Sequence, residues 1–159
     1  MLKFEWPLLL PNDEDVKKLS KNTFDIDEYI VDIANKEGLV KGMHEIDGGV
    51  TVHHACHARA QNMGNKARDM LKLIPNVKID LVERCAGHGG TFGVMKQTHD
   101  TAVKVAKNTV SAVKRKNNKY MASDCPLAGK HIKQLAQDTN INNDEALHPI
   151  ELVAKSYKL

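Results

Sequence analysis

The sequence contains no Cys-x-x-Cys pair, no Gly-Lys-Ser/Thr element and no apolar run near the ~20 residues that a membrane-spanning helix needs. The first absence excludes, on local spacing, a zinc ribbon and a bacterial-type ferredoxin site. The second excludes a P-loop. Cysteine is scarce, three in 159 residues, and an odd number argues against a closed disulfide set. Aromatic residues are only 4%, so aliphatic packing must carry the core. Excess charge is modest at +3, and the densest basic run, Lys114-Arg115-Lys116-Asn117-Asn118-Lys119, reads as the solvated end of a helix. With so little basic or aromatic clustering, no nucleic-acid partner is expected. Glu5 and Pro7 interrupt the apolar start, which lacks the charged, apolar and small-residue regions of a signal peptide. The default location is therefore cytoplasmic, where thiols stay reduced.

What is present is a regular alternation of strand and helix patterns. Asn12 or Asp13 is placed to cap a short helix around 13–21. Asp25 and Glu28 have capping-box spacing at the head of a helix over 25–37, with Ile26, Tyr29, Ile30 and Ile33 as its apolar face and Gly38 as its stop. Residues 38–49 read as a glycine-containing loop. Val50 to His54 is a short strand pattern, followed by a helix with Ala67, Met70, Leu71 and Ile74 on one face. A turn at Pro75-Asn76 leads to an alternating strand pattern over 77–83. A long helix follows over about 98–116, with Val103, Ala106, Val110 and Val113 in a stripe, and then a third strand over 120–123. Pro126 suits the first turn of another helix, with Ala128, Ile132, Leu135 and Ala136 facing inward. Residues 137–146 read as a polar loop, and Pro149 opens a last helix buried through Ile150, Val153, Ala154 and Tyr157. This order predicts an α/β domain with a short parallel sheet covered by helices.

The three cysteines take their meaning from that topology. Cys56, Cys85 and Cys125 each follow a predicted strand, separated from one another by 28 and 39 residues. Ligands of open parallel sheets bind beyond the carboxyl ends of the strands, so the fold should gather the three at one edge. A lone buried cysteine is usually a small core hydrophobe, but three at strand ends point to a shared site. Thiolates are soft donors that suit zinc, copper(I) or iron–sulfur clusters. Gly87, Gly89 and Gly90, just after Cys85, would serve as a backbone nest for a phosphate, as donors to cluster sulfurs, or as a plain tight turn. His53, His54, His57 and His88 lie near the cysteines, and His88, three residues after Cys85, is the preferred fourth metal ligand. His53 and His54 should point to opposite faces of their strand. Cys125, ahead of a helix, is also a candidate activated thiol, although no carboxylate–histidine relay can be assigned to it.

These elements resemble the CCG cysteine-rich domains found in heterodisulfide reductase and in anaerobic glycerol-3-phosphate dehydrogenase. Ala55-Cys56-His57 is similar to the family's first element, and Cys85-Ala86-Gly87-His88-Gly89-Gly90-Thr91-Phe92-Gly93 to its Cys-Cys-Gly turn. Asp124-Cys125-Pro126-Leu127-Ala128 is similar to its Cys-x-x-Cys, and His148-Pro149-Ile150-Glu151-Leu152 to the tail of the glycerol-3-phosphate dehydrogenase branch. The resemblance implies a Rossmann-like, three-layer domain over 48–159. Residues 1–47 would be the helical end of a missing first repeat. It further implies a 4Fe-4S-type cluster in a redox subunit or fragment of an oxidoreductase, moving electrons to or from a ferredoxin-like or flavin-bearing partner. A complex of that kind would sit in the cytoplasm or at the inner face of a membrane. Two family thiolates are replaced, by Ala86 and Ala128. The remaining three leave either a cubane cluster with one iron not held by cysteine, or a Cys₃His zinc site that makes the chain a docking domain without catalysis of its own.

Overall fold

The computed structural model describes residues 1–136 and 146–159. Three short helices precede the first strand: α1 (Trp6–Leu9), α2 (Glu14–Lys21) and α3 (Ile26–Lys36). Asp13 caps α2 by accepting a hydrogen bond from the Val16 N–H at 3.0 Å. Asp25 and Glu28 close the capping box of α3. The rest runs β1 (Val50–His53), α4 (Cys56–Ala60), α5 (Lys66–Leu71), β2 (Ile79–Val82), α6 (His99–Lys116), β3 (Tyr120–Ser123), α7 (Pro126–Leu135) and α8 (Pro149–Ser156). Among the described residues, no helix is long and apolar enough to cross a membrane.

The strands form one parallel sheet in the order β2-β1-β3, with Val50 in register with Ile79 and Tyr120, and His53 with Val82 and Ser123. The pleat divides the side chains between two cores. Val50, Val52, Tyr120 and Ala122 face Met70 and Leu71 of α5 and Leu152 and Val153 of α8, with Ile30 and Val31 of α3 packed on the same cluster. Val82 and Met121 face Ala106, Val110 and Val113 of α6 and Ala128 and Ile132 of α7. Helices thus cover both faces, and the expected three-layer α/β architecture is present. Leu147 adds an isolated parallel bridge to Ala122 beside β3, so the chain re-enters the sheet just before α8.

Three local expectations are corrected. The apolar pattern of α3 is right for Ile30, which packs on the core, but Ile26 and Tyr29 are 46% and 45% exposed, whereas Asp27 is buried. The segment after β1 is two helices rather than one, broken where Asn62 and Gly64 take φ of +53° and +77°, values that end a right-handed helix. In α8 the expected face does meet the core, through buried Val153 and half-buried Ile150 and Tyr157, but the deepest side chain is Leu152, which the periodicity leaves out. The polar stretch expected over 137–146 lies, apart from its last residue, outside the described residues.

Candidate metal centre at the carboxyl edge of the sheet

Strand order fixes where a ligand can sit. The β1-to-β2 connection passes through α5 on one face, and the β2-to-β3 connection through α6 on the other. The loops leaving β1 and β3 therefore diverge to opposite faces, the topological switch point at which doubly wound sheets bind ligands. Cys56 lies three residues after β1 and opens α4. Cys125 lies two residues after β3 and is the N-cap of α7. Cys85 lies three residues after β2, on the flanking strand. Cys56 and Cys85 are exposed, Cys125 is half-buried, and all three are free thiols.

A buried hydrogen-bond chain ties these strand ends together. The His53 Nε2–H donates to the Arg84 carbonyl at 2.9 Å, because a carbonyl can only accept. Nδ1 of the same ring then accepts from the Ser123 hydroxyl at 3.0 Å. Ser123 Oγ accepts in turn from the Cys125 N–H at 3.3 Å. The chain runs from the residue before Cys85, through β1, to Cys125. Burial holds the His53 pKa below the ordinary histidine range, opposed by the bond to Arg84, so the ring stays neutral and its tautomer fixed. His53 braces these strand ends, with both ring nitrogens engaged.

The loop carrying Cys85 is pinned to α6. The Thr109 hydroxyl donates to the Cys85 carbonyl at 2.6 Å. Gly87 has φ of +75°, and a Cβ there would stand 2.2 Å from the Ala102 carbonyl oxygen. This glycine is a packing requirement of the loop on the helix. Gly89 and Gly90 also have positive φ but are exposed at the loop's outer turn. Two donors reach the cysteine sulfurs: the Gly87 N–H to Cys85 Sγ at 3.4 Å and Arg59 Nη2 to Cys56 Sγ at 3.2 Å. Donors of this kind favour negative charge on sulfur and tune thiolate-held clusters. Sequence reasoning does not single out Arg59, although its position one helical turn after Cys56 is a readable signal.

Two buried acidic groups lie close together behind Cys125 in the fold, Asp124 and Asp27. Asp124 precedes Cys125; its side chain is 10% exposed, its Oδ2 is 4.0 Å from His54 Nε2, and its Oδ1 has no partner among the described residues. Burial raises the Asp124 pKa, against the pull of His54 and other nearby histidines. Asp27, entering from α3, is 2% exposed, and its Oδ1 likewise has no partner among the described residues. Burial first, then repulsion from Asp25 and Asp124, raises its pKa to about 7. His54 also meets Glu83 through Nδ1 at 3.2 Å. No local sequence pattern marks Asp27, whose role emerges only when α3 docks. His88 is buried, with its ring edge-on to His131 at 5.8 Å between centroids.

Among the described residues, no three His, Cys, Asp or Glu side chains are gathered closely enough to hold a metal ion as they stand. The chemistry of the donor set nevertheless fits a thiophilic group: two exposed sulfurs and one half-buried, on three strand ends, two of them supplied with an N–H donor. Ala86 and Ala128, which the resemblance sets where further thiolates would stand, are buried at 5% and 6% exposure in the α6–α7 core.

Comparison with known proteins agrees with this frame. The family model of the CCG cysteine-rich domain matches residues 50–133, from the first residue of β1 into α7. Lactate utilization protein A of Geobacillus kaustophilus is 32% identical over 104 residues, a match covering 59% of this chain and 41% of that protein. The chain therefore spans about two fifths of the length of that relative. No solved structure matches the chain at a significant level. With its three cysteines at the ends of three parallel strands, the chain belongs to the CCG cysteine-rich domain family.

Proposed function

We propose that the chain is an electron-transfer module of an oxidoreductase and holds an iron–sulfur centre through Cys56, Cys85 and Cys125. One observation carries this reading: each cysteine follows a different strand of one parallel sheet, at the same edge, within the segment that matches the family. A cluster held there would accept and release single electrons. The chain's own contribution is positional and electrostatic. His53 and Ser123 brace the strand ends, Thr109 and Gly87 anchor the Cys85 loop, and Arg59 and the Gly87 N–H donate to sulfur. The likeness to Lactate utilization protein A suggests that the electrons come from oxidation of a small hydroxy acid. The likeness to the cysteine-rich domains of heterodisulfide reductase and anaerobic glycerol-3-phosphate dehydrogenase favours a redox protein as immediate partner.

The replacement of two family thiolates supports a second reading, a zinc-stabilised docking domain, because three thiolates and one further ligand make a closed structural zinc site. Anaerobic purification followed by iron, sulfide and zinc analysis separates the two. A cubane cluster gives a brown protein with about four irons per chain and a signal in paramagnetic resonance that changes on reduction. Colourless protein with one zinc and no iron would overturn the iron–sulfur reading in favour of the second.

A further inference from the structure

The exposed apolar surface of this chain is not spread evenly. Among the described residues, eleven of the eighteen large apolar side chains that stand exposed lie in residues 1–29. Four of the seven aromatic residues are among them. The α1 helix is apolar throughout, Trp-Pro-Leu-Leu, yet buries no side chain, and Leu8 and Leu9 are 80% and 75% exposed. A helix that is apolar all round belongs inside something. An extended large side chain has roughly 150–250 Å² of surface, so the eleven leave on the order of 1,000 Å² open. That exceeds the ~300–600 Å² patch of a typical monomer and reaches the ~800 Å² per partner of a stable interface.

The patch is held in place rather than loose. Lys3 Nζ pairs with Glu28 of α3 at 2.6 Å and lies over the rings of Phe4 and Phe24. The Ser20 hydroxyl of α2 donates to the Lys3 carbonyl at 2.6 Å. Beside the projecting leucines of α1 opens a groove of about 840 Å³, lined by Leu2, Phe4 and Phe24 together with His57 and Ala60 of α4. One surface thus carries both an apolar projection and an apolar recess, the requirement for pairing with its own copy. Charge agrees with that pairing. The α2 helix has Glu14 and Asp15 in its first turn and Lys18 and Lys21 in its last, all exposed. Two copies of α2 running antiparallel across a two-fold axis set each acidic end against a basic end. An anionic lipid surface fits worse, because Asp13, Glu14 and Asp15 follow the leucines directly.

We propose that the chain pairs with a second copy of itself through residues 1–29, with Leu8, Leu9 and Leu10 of each copy entering the groove of the other. The pairing sets the leucines of one copy against α4 of the other, the helix that Cys56 opens.

The test is the mass of the full chain in solution by sedimentation equilibrium, in reducing buffer so that the exposed thiols cannot link copies. The expected species is twice the chain mass of 17.7 kDa. Leu8→Asp with Leu9→Asp should weaken pairing at least about tenfold and leave the melting curve of the monomer unchanged, since α1 buries nothing. Val105→Asp, exposed on α6 outside the patch, should pair as wild type does. Lys18→Glu with Lys21→Glu should weaken pairing, and adding Glu14→Lys and Asp15→Lys should restore it. A monomer at about 0.2 mM, or a dimer that the leucine substitutions leave intact, overturns the proposal. Monomeric protein that sediments with phosphatidylglycerol vesicles overturns it too, and assigns the patch to a lipid surface.

Discussion

Asp27 is a carboxyl group placed where a charge is expensive. It is almost wholly buried, one oxygen has no partner among the described residues, and Asp25 and Asp124 are the nearby charges that matter most. Its pKa of about 7 stands above the unfolded value of 3.8, so the folded state prefers the neutral acid. Folding stability from this group is therefore full below about pH 4, is lost as pH rises toward 7, and stays low above that. Each pH unit of separation is about 1.4 kcal/mol, which makes the cost at pH 8 a few kcal/mol. Asp27→Asn should raise the melting temperature at pH 8, with the gain shrinking to nothing near pH 4. A gain independent of pH, measured by thermal unfolding across that range, would contradict this account. His53 works in the opposite sense, as a fully engaged neutral ring. His53→Leu removes both bonds and leaves the Arg84 carbonyl and the Ser123 hydroxyl to find other partners, at a cost of about 1–3 kcal/mol by denaturant titration. Neither role is legible in the sequence. His53 reads there as one of a pair on opposite faces of a strand, and nothing in the helix pattern singles out Asp27.

At the scale of elements, the sequence marks most boundaries because local chemistry sets them. Asp25 and Glu28 announce α3, Pro126 opens α7, and the pattern of Tyr120 to Ser123 is β3 to the residue. The buried faces of α3 and α8 are less legible, because which stripe is inward depends on the partners, α5 and the strand surface. The break between α4 and α5 rests on a left-handed asparagine and a glycine, a weak signal in a short segment. The Cys85 loop is the element on which the site depends most. Gly87 admits no side chain against α6, so Gly87→Ala combines a left-handed strain with contact to the Ala102 carbonyl. It should destabilise the fold by about 3 kcal/mol or more, read as a lower denaturant midpoint. Gly90→Ala is the control: no atom lies within 4 Å of the added carbon, leaving only the backbone strain and a loss of about 1 kcal/mol.

The whole molecule is a three-layer sheet whose strand order brings distant residues to one edge. That convergence is readable from the chain alone, since a β-α-β-α-β pattern with a cysteine after each strand allows few other outcomes. The surroundings of that edge are only partly so: Asp27 and Asp124 acquire their roles when α3 and α7 dock on the sheet, whereas Arg59 reaches Cys56 within α4. The most direct test of the central claim is iron X-ray absorption on protein prepared without oxygen, wild type beside the serine variants of Cys56, Cys85 and Cys125. Sulfur-coordinated iron at about four per chain in the wild type, lost or greatly reduced in each variant, is the predicted result. Iron absent from the wild type, or retained unchanged when the cysteines are replaced one at a time, would contradict it.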